Sequence, residues 1–228
     1  MLRWLPENVS TYGPDIDRLF YVIYYVTGAT FFAVQITLLL FIVLYRHRDG
    51  RRATYTHGNT SLEIAWTIAP AILLVILAFV SRKTWADIKQ RIPPSDMVIQ
   101  VTAKQFNWEV AYPGPDGKFD SDGAVVMDND VHVPVGKTIR VLLKSRDVIH
   151  SFFIPSARFK QDAVPGHTIP TWFKITKPGK YEIPCAELCG FGHSGMRGWL
   201  YVQTPEEYAA WARENKVGPL LTAPALGN

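Results

Sequence analysis

Cys185-Ala186-Glu187-Leu188-Cys189-Gly190-Phe191-Gly192-His193-Ser194-Gly195-Met196 gathers two thiols, an imidazole and a thioether within twelve residues. A further histidine stands upstream in Asp147-Val148-Ile149-His150-Ser151. Thiolate, imidazole and thioether are soft donors, and together they select copper over magnesium or calcium. Cys189, His193 and Met196, with His150 from another strand, would suffice for a mononuclear site of two imidazoles, one thiolate and a weak axial sulfur. Cys185 is then surplus. A second thiolate one short loop-turn away lets both sulfurs bridge two copper ions, each completed by one imidazole. Met196 and a backbone carbonyl would be weak outer ligands. A disulfide would leave His150, His193 and Met196 with no reason for their spacing, and zinc has no use for Met196. His47, His57, His132 and His167 have no such company and are expected in loop or surface roles.

The segments around this loop are short and β-type. Val98–Thr102, Ile139–Leu143, Val148–Ile154, Thr171–Ile175, Lys180–Ile183 and Trp199–Gln203 are separated by Pro134–Gly136, Pro165–Gly166 and Pro178–Gly179. Such spacing predicts an all-β Greek-key sandwich or barrel. Thr204-Pro205-Glu206-Glu207 reads as an N-cap, a proline at N1 and a capping glutamate, opening a short helix to about Asn215. The last dozen residues are expected to be a loose tail.

The first third of the chain is different. Leu19 to Tyr45 carries no charge and is long enough, at 1.5 Å per residue, to cross a hydrocarbon core of about 30 Å. It starts too late and runs too long for a signal peptide. A second uncharged run, Ile64 to Ser81, follows Thr60 and Glu63, which read as a capping box. Pro70 inside it suggests a helix that packs against a larger partner. The expected organisation is an external segment over 1–18, membrane helices at 19–45 and 62–82, and a cytoplasmic-side loop at 46–61. A linker at 83–95, a β-domain at 96–215 and a tail at 216–228 complete it.

Charge follows the same division. Residues 1–95 hold 10 Lys/Arg and 6 Asp/Glu, whereas 96–228 hold 14 of each, so the net +4 belongs to the membrane-flanking part. The basic balance therefore reports arginines beside the spans and excludes a nucleic-acid-binding face. Arg46, Arg48, Arg51 and Arg52 favour a cytoplasmic loop, but Arg82, Lys83, Lys89 and Arg91 nearly balance them. Orientation is taken from the metal site instead.

The Cys-x-Glu-x-Cys-Gly-x-x-His-x-x-Met run, Asp147-Val-x-His150-Ser and Asp162-Ala-Val-Pro-Gly166 together resemble cytochrome c oxidase subunit II, from the first span to about Thr204. The resemblance implies a cupredoxin-like domain on a two-helix membrane hairpin. It implies a binuclear copper (CuA) centre held by His150, Cys185, the Glu187 carbonyl, Cys189, His193 and Met196. It also implies a magnesium ion reached by the Glu187 carboxylate at the boundary with subunit I. Leu62-Glu63-Ile-Ala-Trp66-Thr-Ile-Ala-Pro70 resembles the family's second-helix start, where a glutamate helps admit protons to subunit I. A carboxylate at a membrane edge suits a helix cap equally.

The implied function is the electron-entry subunit of a proton-pumping oxidase. It would take electrons from cytochrome c and pass them to heme in subunit I for reduction of O2 to water. The implied partners are subunit I, other oxidase subunits, cytochrome c and the lipid membrane. The implied location is an energy-transducing membrane, a bacterial plasma membrane, with the copper domain outside. No Cys-x-x-Cys-His occurs, so no covalent heme is expected in this chain. One departure stands out: Gln105-Phe106-Asn107-Trp108 puts phenylalanine where the family's entry tryptophan is expected, so Phe106 or Trp108 would carry electron entry. Asp116, Asp120, Asp122, Asp128 and Asp130 would either steer a basic donor or simply be a solvated loop. A quinol oxidase subunit would lack the copper ligands, and a copper-delivery protein on a plain anchor would need neither Glu63 nor Pro70.

Overall fold

The computed structural model describes residues 5–120 and 123–226. It divides into two compact units, Asp15–Trp85 and Ala86–Asn228 together with Met1–Pro14. The first holds the bulk of helix α1 (Gly13–Leu44) and helix α2 (Thr60–Trp85), whose best windows reach mean hydropathies of 2.2 and 2.4. Their large apolar side chains face outward, Phe32 and Leu39 being more than half exposed. A surface of that kind requires lipid or protein around it. The threonine hydroxyls on α1 are satisfied internally: Thr27, Thr30 and Thr37 each donate to the carbonyl four residues back, at 2.8–2.9 Å. The cap of α2 differs from expectation. Asn59, rather than Thr60, stands before the helix, its Oδ1 accepting the Leu62 N–H at 3.1 Å, so Thr60 opens the first turn.

Among the described residues, the larger unit is mainly β, with one π-helical turn (Ala86–Gln90), two 3-10 turns and one helix near its C-terminal end. Its strands are β1 (Met97–Lys104), β2 (Asn107–Tyr112), β3 (Val125–Asp128), β4 (Asp130–Pro134) and β5 (Thr138–Ser145). They continue with β6 (His150–Ile154), β7 (Phe159–Ala163), β8 (Ile169–Lys174), β9 (Gly179–Pro184) and β10 (Arg197–Gln203). One sheet has the order β3-β2-β1-β5-β8, a second β4-β10-β9, and β6-β7 form a ribbon. The pairs β1–β5 and β4–β10 are parallel, which requires crossovers and gives the unit its Greek-key character. Along β10, Gly198, Leu200 and Val202 point inward while the residues between them face out. Four strands, β2, β3, β4 and β7, escape a reading for apolar runs: β3 has four residues, and β7 (Phe-Lys-Gln-Asp-Ala) buries only its ends.

A line of edge-to-face rings crosses the core: Trp108 to Phe152 at 5.1 Å, Phe152 to Phe159 at 6.0 Å, and Phe159 to Phe173 at 5.6 Å. Helix α3 (Pro205–Glu214) starts with the predicted reciprocal cap between Thr204 and Glu207. The C-terminal stretch is not loose. Ser95 and Ala223 exchange backbone hydrogen bonds, as do Ile92 and Leu226, and the Arg140 guanidinium donates to the Pro93 and Pro224 carbonyls. At the other end of the chain, Val9 donates to Ser156 and accepts from Thr176, so the N-terminal segment is stitched to the same unit. His132 also departs from expectation. It sits half-buried on β4 between the Tyr201 and Trp211 rings, stacked at 4.5 and 4.2 Å.

Candidate metal centre

Three loops at one end of the β-unit converge. Cys185 follows the end of β9, Cys189 lies on the loop beyond it, and His193 opens a 3-10 turn that ends at Met196, where β10 begins. This loop is closed on itself: Cys185 N–H donates to Met196 O, His193 N–H to Gly190 O, and Met196 N–H to His193 O. His150 enters from the first position of β6, and Ala186 N–H donates to Ser151 O, joining that strand to the cysteine loop.

The donor atoms meet in a buried cluster. His150, Cys185 and Cys189 offer ligand atoms all within 4.8 Å of one another. The two Sγ atoms are 3.8 Å apart and both cysteines are free. Met196 Sδ lies 3.2 Å from His150 Nδ1 and 3.8 Å from Cys189 Sγ. His193 Nδ1 is 3.6 Å from Cys189 Sγ, and the Cys185 thiol donates to the Glu187 carbonyl at 3.2 Å. The two sulfurs thus lie at the centre of the donor set: Met196 and His193 are against Cys189, the Glu187 carbonyl is against Cys185, and His150 is against Met196. Burial, reinforced by the neighbouring Cys185 sulfur, pushes the Cys189 thiol up to about 11. A cation is what would draw its proton off at neutral pH. Two thiols, two imidazoles, a thioether and a carbonyl fit a soft metal such as copper.

The side chain behind His150 was not singled out from the sequence as a site residue. Asp147 Oδ1 accepts from His150 Nε2 at 2.8 Å, so the ring is held with Nδ1 toward the sulfurs. Its other oxygen accepts the Gln105 N–H at 2.7 Å. Burial raises the Asp147 carboxyl, but its hydrogen bonds from His150, Gln105 and Val148 together outweigh this and hold it below the ordinary range. Gln105 Nε2 donates to Cys189 O at 2.6 Å, so the β1–β2 turn ties the histidine loop to the cysteine loop. That spacing of three residues, Asp before His, is the one signal of it in the sequence.

Phe106 occupies the rim, partly exposed, its ring against the Gly190–Gly192 backbone. Trp108 lies beneath, fully buried, edge-on to His150 with ring centroids 6.1 Å apart. Its place in the core spine is the commoner fate of a strand aromatic. The Glu187 carboxylate is exposed, and Glu63 lies in the first turn of α2, also exposed. Of the acidic residues, Asp116, Asp120 and Asp128 are exposed, Asp130 is half-buried, and Asp122 lies outside the described residues.

Fold and donor set together define a membrane-anchored, cupredoxin-like metal-binding protein. Residues 97–200 match the family model described as cytochrome c oxidase subunit II, periplasmic domain, and residues 4–84 match that of its transmembrane domain. Cytochrome c oxidase subunit 2 of Thermostichus vulcanus is 32% identical over 277 residues, covering 97% of this chain and 81% of its own. That of Cereibacter sphaeroides is 32% identical over 218 residues, covering 81% and 71%. The crystal structure of the periplasmic domain of subunit II of cytochrome oxidase from Bradyrhizobium japonicum is 34% identical, covers 55% of this chain and 96% of its own, and superposes with a TM-score of 0.49. The chain belongs to the cytochrome c oxidase subunit II family. It is a subunit of an oxidoreductase complex, anchored in a membrane with its β-unit on the outer side.

Proposed function

We propose that this chain is the electron-entry subunit of a cytochrome c oxidase, taking electrons from a cytochrome c at a two-copper centre. The observation that carries the reading is a pair of free, facing sulfurs, Cys185 and Cys189, with four further donors gathered around them: His150, Met196, His193 and the Glu187 carbonyl. A sulfur pair with four further donors suits two ions, whereas a mononuclear site would leave Cys185 and the Glu187 carbonyl unused. Copper bound there would supply one-electron chemistry between two closely similar geometries.

The protein's own part is to fix that geometry. The loop's internal hydrogen bonds hold Cys185 against Met196, Asp147 holds the His150 ring, and Gln105 holds the Cys189 carbonyl. Burial of His150, Cys185, Cys189 and Met196 excludes water from the donors. Phe106 at the rim and Trp108 beneath it are the aromatic groups proposed for electron entry. Electrons would leave toward heme in subunit I, where O2 is reduced to water and protons are pumped. The Glu187 carboxylate would hold a magnesium ion at the boundary with that subunit, and Glu63 would serve proton entry from the inner side.

The test is electron paramagnetic resonance with copper counting on the purified full-length chain. Two coppers per chain and a hyperfine pattern from one electron shared equally over both nuclei is the expected result. One copper with a localised electron would replace this reading with a mononuclear carrier.

A further inference from the structure

The loop between the helices carries a second candidate site, unrelated to the metal centre. Arg46, Arg48, Arg51 and Arg52 lie within eight residues of the end of α1, with Asp49 as the one acidic residue between Tyr45 and Asn59. All four arginines are exposed. Asp49 is engaged by His47 at 3.6 Å, and no carboxylate pairs with any of the four guanidinium groups among the described residues. Arg51 is fixed at the helix end: its Nη1 donates to the Leu44 carbonyl at 3.1 Å and its guanidinium lies 5.8 Å from the Tyr45 ring centroid. Tyr45 and Tyr55 on the loop, and Trp66 near the start of α2, are strongly exposed aromatic side chains of the kind that settle at a headgroup boundary.

We propose that Arg46, Arg48, Arg51 and Arg52 form a binding site for the phosphate headgroup of an anionic phospholipid. A guanidinium presents a planar fork that matches phosphate oxygens two at a time, and it sheds hydration more readily than an ammonium. Topological retention during insertion needs positive charge but does not need the charges to stay unpaired afterwards. The occupant is a lipid because the cluster is continuous with the end of an apolar 32-residue helix, which places it at headgroup depth. Each arginine near an anionic surface favours binding by roughly fivefold, so the four together are worth on the order of several hundredfold if they act independently.

The test uses the purified full-length chain in nanodiscs of mixed phosphatidylglycerol and phosphatidylcholine, with retained lipids counted by native mass spectrometry. Wild type is expected to keep phosphatidylglycerol well above its share of the disc. Retention should fall to the bulk share in R46Q/R48Q/R51Q/R52Q, and to an intermediate level in R51Q/R52Q, which keeps two guanidinium groups. Protease accessibility of the loop confirms that the variants insert in the same orientation. Equal enrichment in wild type and the fourfold variant would overturn the proposal. So would displacement of the lipid by millimolar inorganic phosphate, which would mean a site for soluble anions.

Discussion

Asp147 accepts a hydrogen bond from His150 Nε2 at 2.8 Å, and this one contact decides which ring nitrogen faces the sulfurs. With Nε2–H committed to the carboxylate, Nδ1 is left as the lone-pair donor, 3.2 Å from Met196 Sδ. Removing the partner frees the ring to turn and leaves a buried imidazole unsupported. Asp147→Ala is therefore expected to weaken copper binding about 10–100-fold. Competition against a chelator of known affinity measures it. An affinity within twofold of wild type would mean that packing against Trp108 alone orients the ring.

On the proposed reading, Cys185 separates a two-metal from a one-metal site. Cys185→Ser removes one shared sulfur but leaves Cys189, His150, His193 and Met196, the donor set of a mononuclear centre. The variant is expected to bind one copper and to show a four-line hyperfine pattern from a single nucleus. Two coppers per chain in this variant would show that Cys185 is not a bridge.

The ligand loop's glycines are required for two different reasons, and a suppressor experiment tells them apart. A Cβ at Gly192 would lie 2.5 Å from the Phe106 ring, but the backbone there is ordinary, with φ −89. At Gly190 a Cβ would lie 2.7 Å from Gln105 Nε2 on a backbone with φ +132, where side chains are strained whatever the space. Each alanine substitution is expected to cost about 1–3 kcal/mol in denaturant unfolding. Phe106→Ala should recover most of the loss for Gly192→Ala, because the clash is purely steric. It should recover little for Gly190→Ala. Equal rescue of both would mean that the Gly190 backbone relaxes.

These contacts also mark how far the sequence could be read. The donor cluster of Cys185, Cys189, His193 and Met196 is legible because donors on one loop must keep their spacing to converge, and His150 because its motif is local. The apolar runs give β1, β5 and β10 for the same reason: each buries one face or both. Gln105 and Asp147 are 42 residues apart, and their bond exists only because β1 lies parallel to β5, a pairing that no local pattern records. His132 is the plainest case. Nothing near it on β4 announces the Tyr201 ring from β10 or the Trp211 ring from α3, since both arrive through tertiary packing.

That histidine makes the stability of the β-unit depend on pH. Burial lowers the His132 pKa from its ordinary 6.5, against the opposing pull of Gln203 and Asp130. Its ring stacks between Tyr201 and Trp211, with Nδ1 3.2 Å from Gln203 Oε1. A depressed folded pKa means that the unfolded chain takes up the proton first as pH falls. The contribution is thus fully present above 6.5 and is lost progressively below it, until the folded state also protonates. Wild type should lose midpoint stability between pH 7 and pH 5. His132→Phe keeps a flat ring in the stack without a proton to gain, so its profile should lack that part of the slope. Thermal unfolding of both proteins across this range is the measurement. Parallel profiles would place the acid sensitivity elsewhere, with the carboxylates held low by hydrogen bonds as the next groups to test. Asp96 is the first of these: its pKa is lowered chiefly by the Thr138 N–H, which it accepts at 2.8 Å, so its contribution also falls away on acidification, but around the carboxylate range.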